Sequence, residues 1–318
     1  MISPNLIDAQ DIRVGMIGLD TSHVPAYTQL LNDANHPDHI PGAKVVVAFK
    51  GGSPDIPDSA NRIEGFTKEI QEKYGVKIVD TIDELLSMVD AVMIESIDGR
   101  PKLEQAKPVI KAGKILFIDK PVAGTLSDAI EIYRLAEEAG VPVFTSSSYR
   151  YYDSMVALVK QDVGEIRGAI SYGPEHLEPH HPDLFWYGIH PVEALFTAMG
   201  PKCISVTRTK TDNTDVVVGT WSDGRTGTLI GLRHVSAPHK VILFGTKAAA
   251  DQQPGSDSYA PLVREIVRFF QTRRPPVSAE ETLAIYTFME AADESLRRGG
   301  GPVRIDETYI RHGGRPKS

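Results

Sequence analysis

The sequence predicts an α/β protein in which a mostly parallel, doubly wound sheet is followed by an α+β domain built on a large, mostly antiparallel sheet. Through the first half, short β-branched and aliphatic runs alternate with helical patterns, as parallel strands joined by crossover helices do. After about Tyr152 the pattern turns to longer alternating strands linked by Gly-containing turns, which favours antiparallel pairing. The length of 318 residues matches about two domains of ordinary size. The change of pattern puts the boundary near Ser146 to Tyr152, so residues 1–148 form the first domain and 149–318 the second.

Arg13 to Ile17 is the first strand, and Lys44 to Phe49, Ala91 to Ile94, Ile115 to Ile118 and Val141 to Thr145 repeat it. Each is nearly continuous in apolar residues, as a strand covered on both faces must be. Between the last two, Thr125 and Asp128 open a helix, Ala129, Ile132, Tyr133, Ala136 and Ala139 follow at helical spacing, and Gly140 stands where it ends. In the second half Ala169 to Tyr172, Ile204 to Thr209, Val216 to Trp221, Thr226 to Leu232 and Val241 to Phe244 read as strands. Ser256 to Thr272 and Ala279 to Arg298 close the chain as amphipathic helices, the latter ended by Gly299 to Gly301. The basic tail from Arg311 to Ser318, which contains Gly and Pro, is expected to fray.

Composition excludes several function classes. A formal net charge of -8 with dispersed basic residues leaves no electrostatic grip on nucleic acid or on an anionic membrane. The single cysteine, Cys203, forms neither an internal disulfide nor a thiolate metal cage, so nothing ties the chain to an oxidising compartment. Met1 to Asp11 lack the basic start and apolar run of a secretory signal, and no later run approaches the ~20 apolar residues of a membrane span. A cytoplasmic protein with a small-molecule partner is the expectation.

The chemistry-bearing residues cluster at strand ends. After the first strand comes Gly18-Leu19-Asp20-Thr21-Ser22-His23, where a Rossmann-like dinucleotide-binding fold places its Gly-x-Gly-x-x-Gly turn beneath the pyrophosphate. Only the first glycine is present. Asp20 must turn its carboxylate away from the phosphates, while Thr21 and Ser22 offer donors at a helix start. A plain strand-to-helix turn capped by Asp20 or Thr21 accounts for the loop equally well. Lys50, at the tip of the second strand, stands where an acid ordinarily accepts the ribose hydroxyls and tips the expectation from NAD slightly toward NADP; an exposed surface lysine is the alternative. Ser96 and Asp98 follow the third strand as further candidates for cofactor contact. The fourth strand runs into Asp119-Lys120-Pro121, and Pro121 holds Lys120 extended so that its ammonium is aimed into the crevice at the sheet's carboxyl edge.

Together with Ala112-Gly113-Lys114, Ser148-Tyr149-Arg150, Gly188-Ile189-His190-Pro191-Val192-Glu193 and Pro275 to Thr282, this segment resembles the glucose-fructose oxidoreductase / inositol dehydrogenase / MocA (Gfo/Idh/MocA) family, with Asp119 in place of the glutamate of its Glu-Lys-Pro hallmark. The resemblance implies that Lys120 binds near the nicotinamide and the substrate hydroxyl, and that His190 exchanges a proton with that hydroxyl. The family pattern Asp-x-Gly-x-His-x-x-Asp is filled here by Trp186, Gly188, His190 and Glu193, so the first acid is lost and Asp183 or Glu193 is left to serve the same space. Pro191 and the run from Glu193 to Met199 place His190 at a helix's positive end, which favours the neutral ring a base requires. A histidine that only caps the helix is the alternative. His176, His180 and His181 suggest a metal site, but Pro179 and Pro182 break the helix that would align them, and a substrate-contacting loop is the better reading. Tyr149, Arg150, Tyr172, His176, Asp183 and Tyr187 complete the candidate substrate contacts.

The resemblance implies NAD(P)-dependent hydride transfer to or from a carbinol or ketone carbon of a sugar, cyclitol or sugar acid, without a metal, in a homodimer or homotetramer. Two alternatives remain open at this point. One is transient oxidation that drives glycosidic cleavage or elimination, and the other is a binding homologue without catalysis.

Overall fold

The computed structural model describes residues 11–316. Six strands, β1 (Ile12–Ile17), β2 (Ala43–Phe49), β3 (Lys77–Val79), β4 (Ala91–Ile94), β5 (Ile115–Ile118) and β6 (Val143–Phe144), pair in parallel in the order β3-β2-β1-β4-β5-β6. The crossovers are α1 (His23–Asn32), α2 (Pro57–Ala60), α3 (Ile63–Tyr74), α4 (Ile82–Leu86), α5 (Lys102–Lys111) and α6 (Leu126–Ala139). Thr125 Oγ1 accepts from the Asp128 N–H at the start of α6, and Gly140 ends it in the left-handed region at φ 63°, as the sequence predicts.

Two features of this sheet differ from expectation. β3 is a three-residue edge strand opening on an exposed lysine, too short to leave a periodic signal. β6 shrinks to two residues because Pro142 has no N–H to give, although its carbonyl still accepts from Leu116. The turn after β1 reads as a pattern of phosphate-binding glycines only at Gly18, whose φ of 83° brings it against Ser96, where any Cβ would overlap.

The second half begins with a 3₁₀ turn (Ser148–Tyr151) and α7 (Asp153–Val159), then β7 (Ile166–Pro174), a π-helical turn (Leu184–Gly188) and α8 (Ile189–Met199). β8 (Cys203–Lys210), β9 (Thr214–Trp221), β10 (Thr226–Leu232), β11 (Lys240–Gly245) and β12 (Ala249–Asp251) follow. The chain continues through α9 (Ala260–Thr272), α10 (Ala279–Arg297), β13 (Val303–Arg304) and α11 (Ile305–Arg311). The sheet order is β12-β11-β7-β10-β9-β8-β13, antiparallel throughout except for β7 beside β10. The edge strands β12 and β13 are again too short to read from sequence.

Alternation explains how both sheets are covered. Val14, Met16, Met93 and Phe117 face one core, while Ile17, Val92, Ile94, Leu116 and Ile118 face the other. The second core is continuous with the inner face of the larger sheet, where Val217, Trp221, Leu229 and Leu243 meet Phe196 of α8 and Phe288 of α10. The first core is closed by α9, which packs Val263, Ile266 and Phe270 against the same sheet face as Tyr27 of α1, with Phe269 edge-on to Phe144 at 5.5 Å. Just before the tail expected to fray, Thr308 is buried and donates to Glu294, and within the tail Arg311 pairs with Glu294 while Arg315 lies 3.7 Å from Glu137 and 3.6 Å from Glu138. Lys317 and Ser318 lie outside the described residues. No helix among the described residues is long and apolar enough to cross a membrane.

Candidate functional site

The tips of β1, β4 and β5 face α8 and the segment before β11 across a cavity of about 380 Å³. Its walls bring together Thr21, Ser22, His23, Lys120, Tyr149, His176, Tyr187 and His190 from among the residues singled out in the sequence. Ligands gather at such carboxyl edges because strand-to-helix turns leave backbone and side-chain groups free there.

Lys120 is delivered by β5 and joined to Pro121 by a cis peptide bond. Its ammonium lies 5.8 Å from the centre of the Tyr187 ring and makes no ion pair among the described residues. Burial lowers its pKa, while the carboxylates of Asp119 and Glu95 act the other way. His190 comes from the opposite wall. Its Nδ1 is 2.7 Å from Ser147 Oγ, which also accepts from the Tyr149 N–H. In the tautomer that donates Nδ1–H to Ser147, the Nε2 lone pair is left for a ligand. Burial holds the His190 pKa well below the usual imidazole range, and Lys120, His239 and His23 press it the same way.

That cause differs from the one the sequence suggested. α8 runs on directly from the π-helical turn, so His190 is not at a free helix N-terminus, and the dipole gives way to burial and neighbouring positive groups. The acids considered for the relay are committed elsewhere. Glu193 is buried and accepts from Ser146 Oγ, from the Ser147 N–H at 2.8 Å and from Arg150 at 3.1 Å. Asp183 pairs with Arg208 at 2.8 Å and with Lys210, at the edge of a buried network that joins Arg208 and Arg233 to Asp215, Asp293 and Glu175. Ser147 is therefore the group that holds His190. Arg150 belongs to the interior as well, bridging Glu193 and Glu281, and Tyr172 sits along β7 away from the cavity lining.

In the turn after β1, Gly18, Asp20 and His23 occupy the three glycine positions of the dinucleotide fingerprint. Asp20 turns beneath the loop, accepting from Ser59 Oγ at 2.6 Å and from the Ile97 N–H at 2.9 Å. His23 gives Nδ1 to Asp119 Oδ2 at 2.7 Å and stacks on Tyr27 with ring centres 5.0 Å apart. Thr21 and the uncapped Ser22 front the start of α1. Ser96 supports Gly18 from below and donates to Gln105, and Asp98 binds Ser53, Arg100 and His181, so both act within the protein rather than on the cavity wall. Lys50, expected to favour a ribose phosphate, is paired with Glu64. The turn still fits a dinucleotide: Gly18 permits the tight bend, the acid is pulled under it, and Thr21, Ser22 and the Asp58-paired Arg62 line the cavity there.

Of the histidine run, His180 bonds Glu178 at 2.8 Å, and His181 is held between Glu178 and Asp98 at 3.0 Å each, leaving His176 to face the cavity and Tyr187. A different grouping, His23, Glu95 and Asp119, brings potential ligand atoms within 4.8 Å of one another, but the ammoniums of Lys102 and Lys120 already oppose its two carboxylates. Sequence reasoning missed His239, Tyr152, Tyr259, Arg62 and Asp58 in the lining. His239 follows Pro238 in an irregular segment, and its ring fits only because β7 has Gly173 beneath it. Burial, then Lys120 and His176, lowers its pKa to about 4.

Residues 12–147 match the sequence profile of an oxidoreductase family with an NAD-binding Rossmann fold, Gfo/Idh/MocA. An uncharacterised protein of Saccharomyces cerevisiae is 24% identical over 166 residues, which are 51% of this chain and 42% of the yeast protein, so the chain matches less than half of that relative's length. Scyllo-inositol dehydrogenase from Lactobacillus casei, solved with NAD(H) and scyllo-inositol, superimposes with a TM-score of 0.76 at 15% identity, covering 93% of this chain and 99% of that one. An oxidoreductase from Agrobacterium radiobacter, solved with NAD+, L-tartaric acid and magnesium, gives 0.74 at 14% identity, covering 93% and 98%. At such identities the likeness is one of fold.

Proposed function

We propose, from the match of residues 12–147 to the Gfo/Idh/MocA oxidoreductases with their NAD-binding Rossmann fold, that this chain moves a hydride to or from a carbinol or ketone carbon of a sugar, cyclitol or sugar acid. The observation that carries the reading is the convergence of Lys120, from the tip of β5, and His190, from α8, on one cavity beside a turn suited to a dinucleotide. When bound, NAD supplies the hydride acceptor. His190 Nε2 takes the hydroxyl proton, Ser147 holds the ring, and the Lys120 ammonium steadies the oxygen as negative charge develops on it. In the reverse direction the same imidazole returns the proton. Tyr149, Tyr187 and Trp186 wall the carbinol side and restrict water.

We further propose NAD as the working cofactor, because Glu64 cancels the cation at Lys50 that a ribose 2′-phosphate would need. Calorimetric titration tests both statements. The expected result is saturable binding of NAD, weaker binding of NADP, and reduced-cofactor absorbance in the presence of a polyhydroxylated substrate. Absence of binding by either dinucleotide would sink the dehydrogenase reading, and tighter NADP binding would reverse the choice of cofactor.

A further inference from the structure

The charge left over around the cavity points to the kind of molecule it holds. Two carboxylates border it: Asp58 is paired with Arg62 at 3.0 Å, and Asp119 is paired through Oδ2 with His23 at 2.7 Å, its Oδ1 being buried without a hydrogen bond. Beneath the wall, Glu95 is fully buried with neither oxygen hydrogen-bonded, and burial drives its carboxyl well up toward the neutral form. Glu193 is turned into the interior to Arg150. Lys120 is thus the cavity cation that makes no ion pair among the described residues; Asp119 and Glu95 support its charge from beneath, and in a confined, partly dehydrated site it gains further from a ligand anion.

The substrate wall carries the same message in its hydrogen-bonding groups. Trp186 stands where the family pattern has an acid, and His176, His190 and His239 surround the space in front of Lys120. The His239 ring is seated in a niche opened by Gly173, which puts its Nδ1 edge against the strand and its other edge toward His190, 5.6 Å away between ring centres. A neutral polyol presents many hydroxyl protons, and carboxylates are the side chains that accept several at once. This wall has none free. A ligand carboxylate brings its own acceptors and meets an ammonium, imidazoles and tyrosine hydroxyls. The oxidised nicotinamide ring is itself cationic, which adds to the demand for an anion.

We propose that the molecule oxidised here is a hydroxy acid of the aldonate or uronate class, its carboxylate set against the wall formed by His176 and His239 and sharing the three N–H donors of Lys120 with the reacting oxygen. The inference rests on the dehydrogenase reading for the reaction, though not for the binding preference. In the reaction the carbinol carbon gives a hydride to the cofactor and its hydroxyl proton to His190, yielding a keto acid and reduced cofactor, while the carboxylate is unchanged.

The test uses the full chain with saturating NAD and two matched pairs, D-gluconate with D-glucitol and D-glucuronate with D-glucose, read by calorimetry, thermal shift and reduced-cofactor absorbance. The acid is expected to bind at least tenfold more tightly in at least one pair, with the advantage shrinking as potassium chloride is added. Trp186→Asp, which returns an acid to the wall, should remove that advantage, and His239→Gln should weaken the acid more than the neutral partner. Equal or tighter binding of the neutral member in both pairs, or binding of none of the four, overturns the proposal. Turnover of neutral polyols without acid binding would overturn it and leave the dehydrogenase reading standing, whereas acid-selective binding without any hydride transfer would do the reverse.

Discussion

The two walls of the cleft use polar residues in opposite ways. On the wall from the first sheet, each side chain that departs from a plain glycine turn finds a partner within the protein: Asp20 with Ser59, His23 with Asp119, Lys50 with Glu64. On the wall from the second, His190 is held through one nitrogen alone, which leaves Nε2 to the cavity, and His176 lines the space beside Tyr187. A polar group satisfied internally has spent its hydrogen bonds on the fold, and one left unsatisfied in a cavity holds them for a ligand. The difference separates residues that shape the dinucleotide turn from those that meet the reacting molecule.

The contrast can be broken most sharply at His190. His190→Gln should lower kcat by about 10²–10⁴-fold with little change in thermal midpoint, as loss of a general base does; unchanged turnover would remove the second wall from the chemistry. Next in size is Glu193→Ala, which strips Arg150 of one buried partner and should cost about 3 kcal/mol in urea unfolding, Glu281 remaining. The pH dependence sharpens the same division. Both His190 and His239 are depressed below the ordinary imidazole value of about 6.5. The unfolded chain therefore takes up protons first as pH falls, so the stability they contribute is complete above about 6.5 and is lost toward about 4, where His239 titrates. Thermal midpoints should fall over that window, while kcat/KM, which needs neutral His190, stays flat from pH 8 down through 6.5. The smallest effect belongs to Glu64→Ala: freeing an exposed lysine should improve NADP affinity about two- to fivefold, the scale of a surface ion pair.

What was legible in the sequence was local. The Thr125 cap, the Gly140 terminus, the four longer strands of the first half and the placement of Lys120 at a strand tip all depend on residues near one another in the chain. His190 was legible through its motif, but not what holds it, since Ser147 and Glu193 meet only when α8 packs on the segment after β6. Arg150 looked like a substrate ligand until its carboxylates arrived from α8 and α10. His239 left no signal because its niche exists only once β11 lies beside β7 and brings Gly173 under the ring. The π-helical turn escaped too, since its apolar residues fit an α-helix equally well.

Because α9 returns from the second half to cover the first sheet, the polypeptide crosses between the two halves more than once. Hydrogen bonds from Ser154 to Asp257 and from Gln252 to Ser154 tie the outgoing and returning segments side by side. Two tethers so fastened make a single joint between the halves, and a fragment cut after the first sheet would lose its own lid and bare a greasy flank to water.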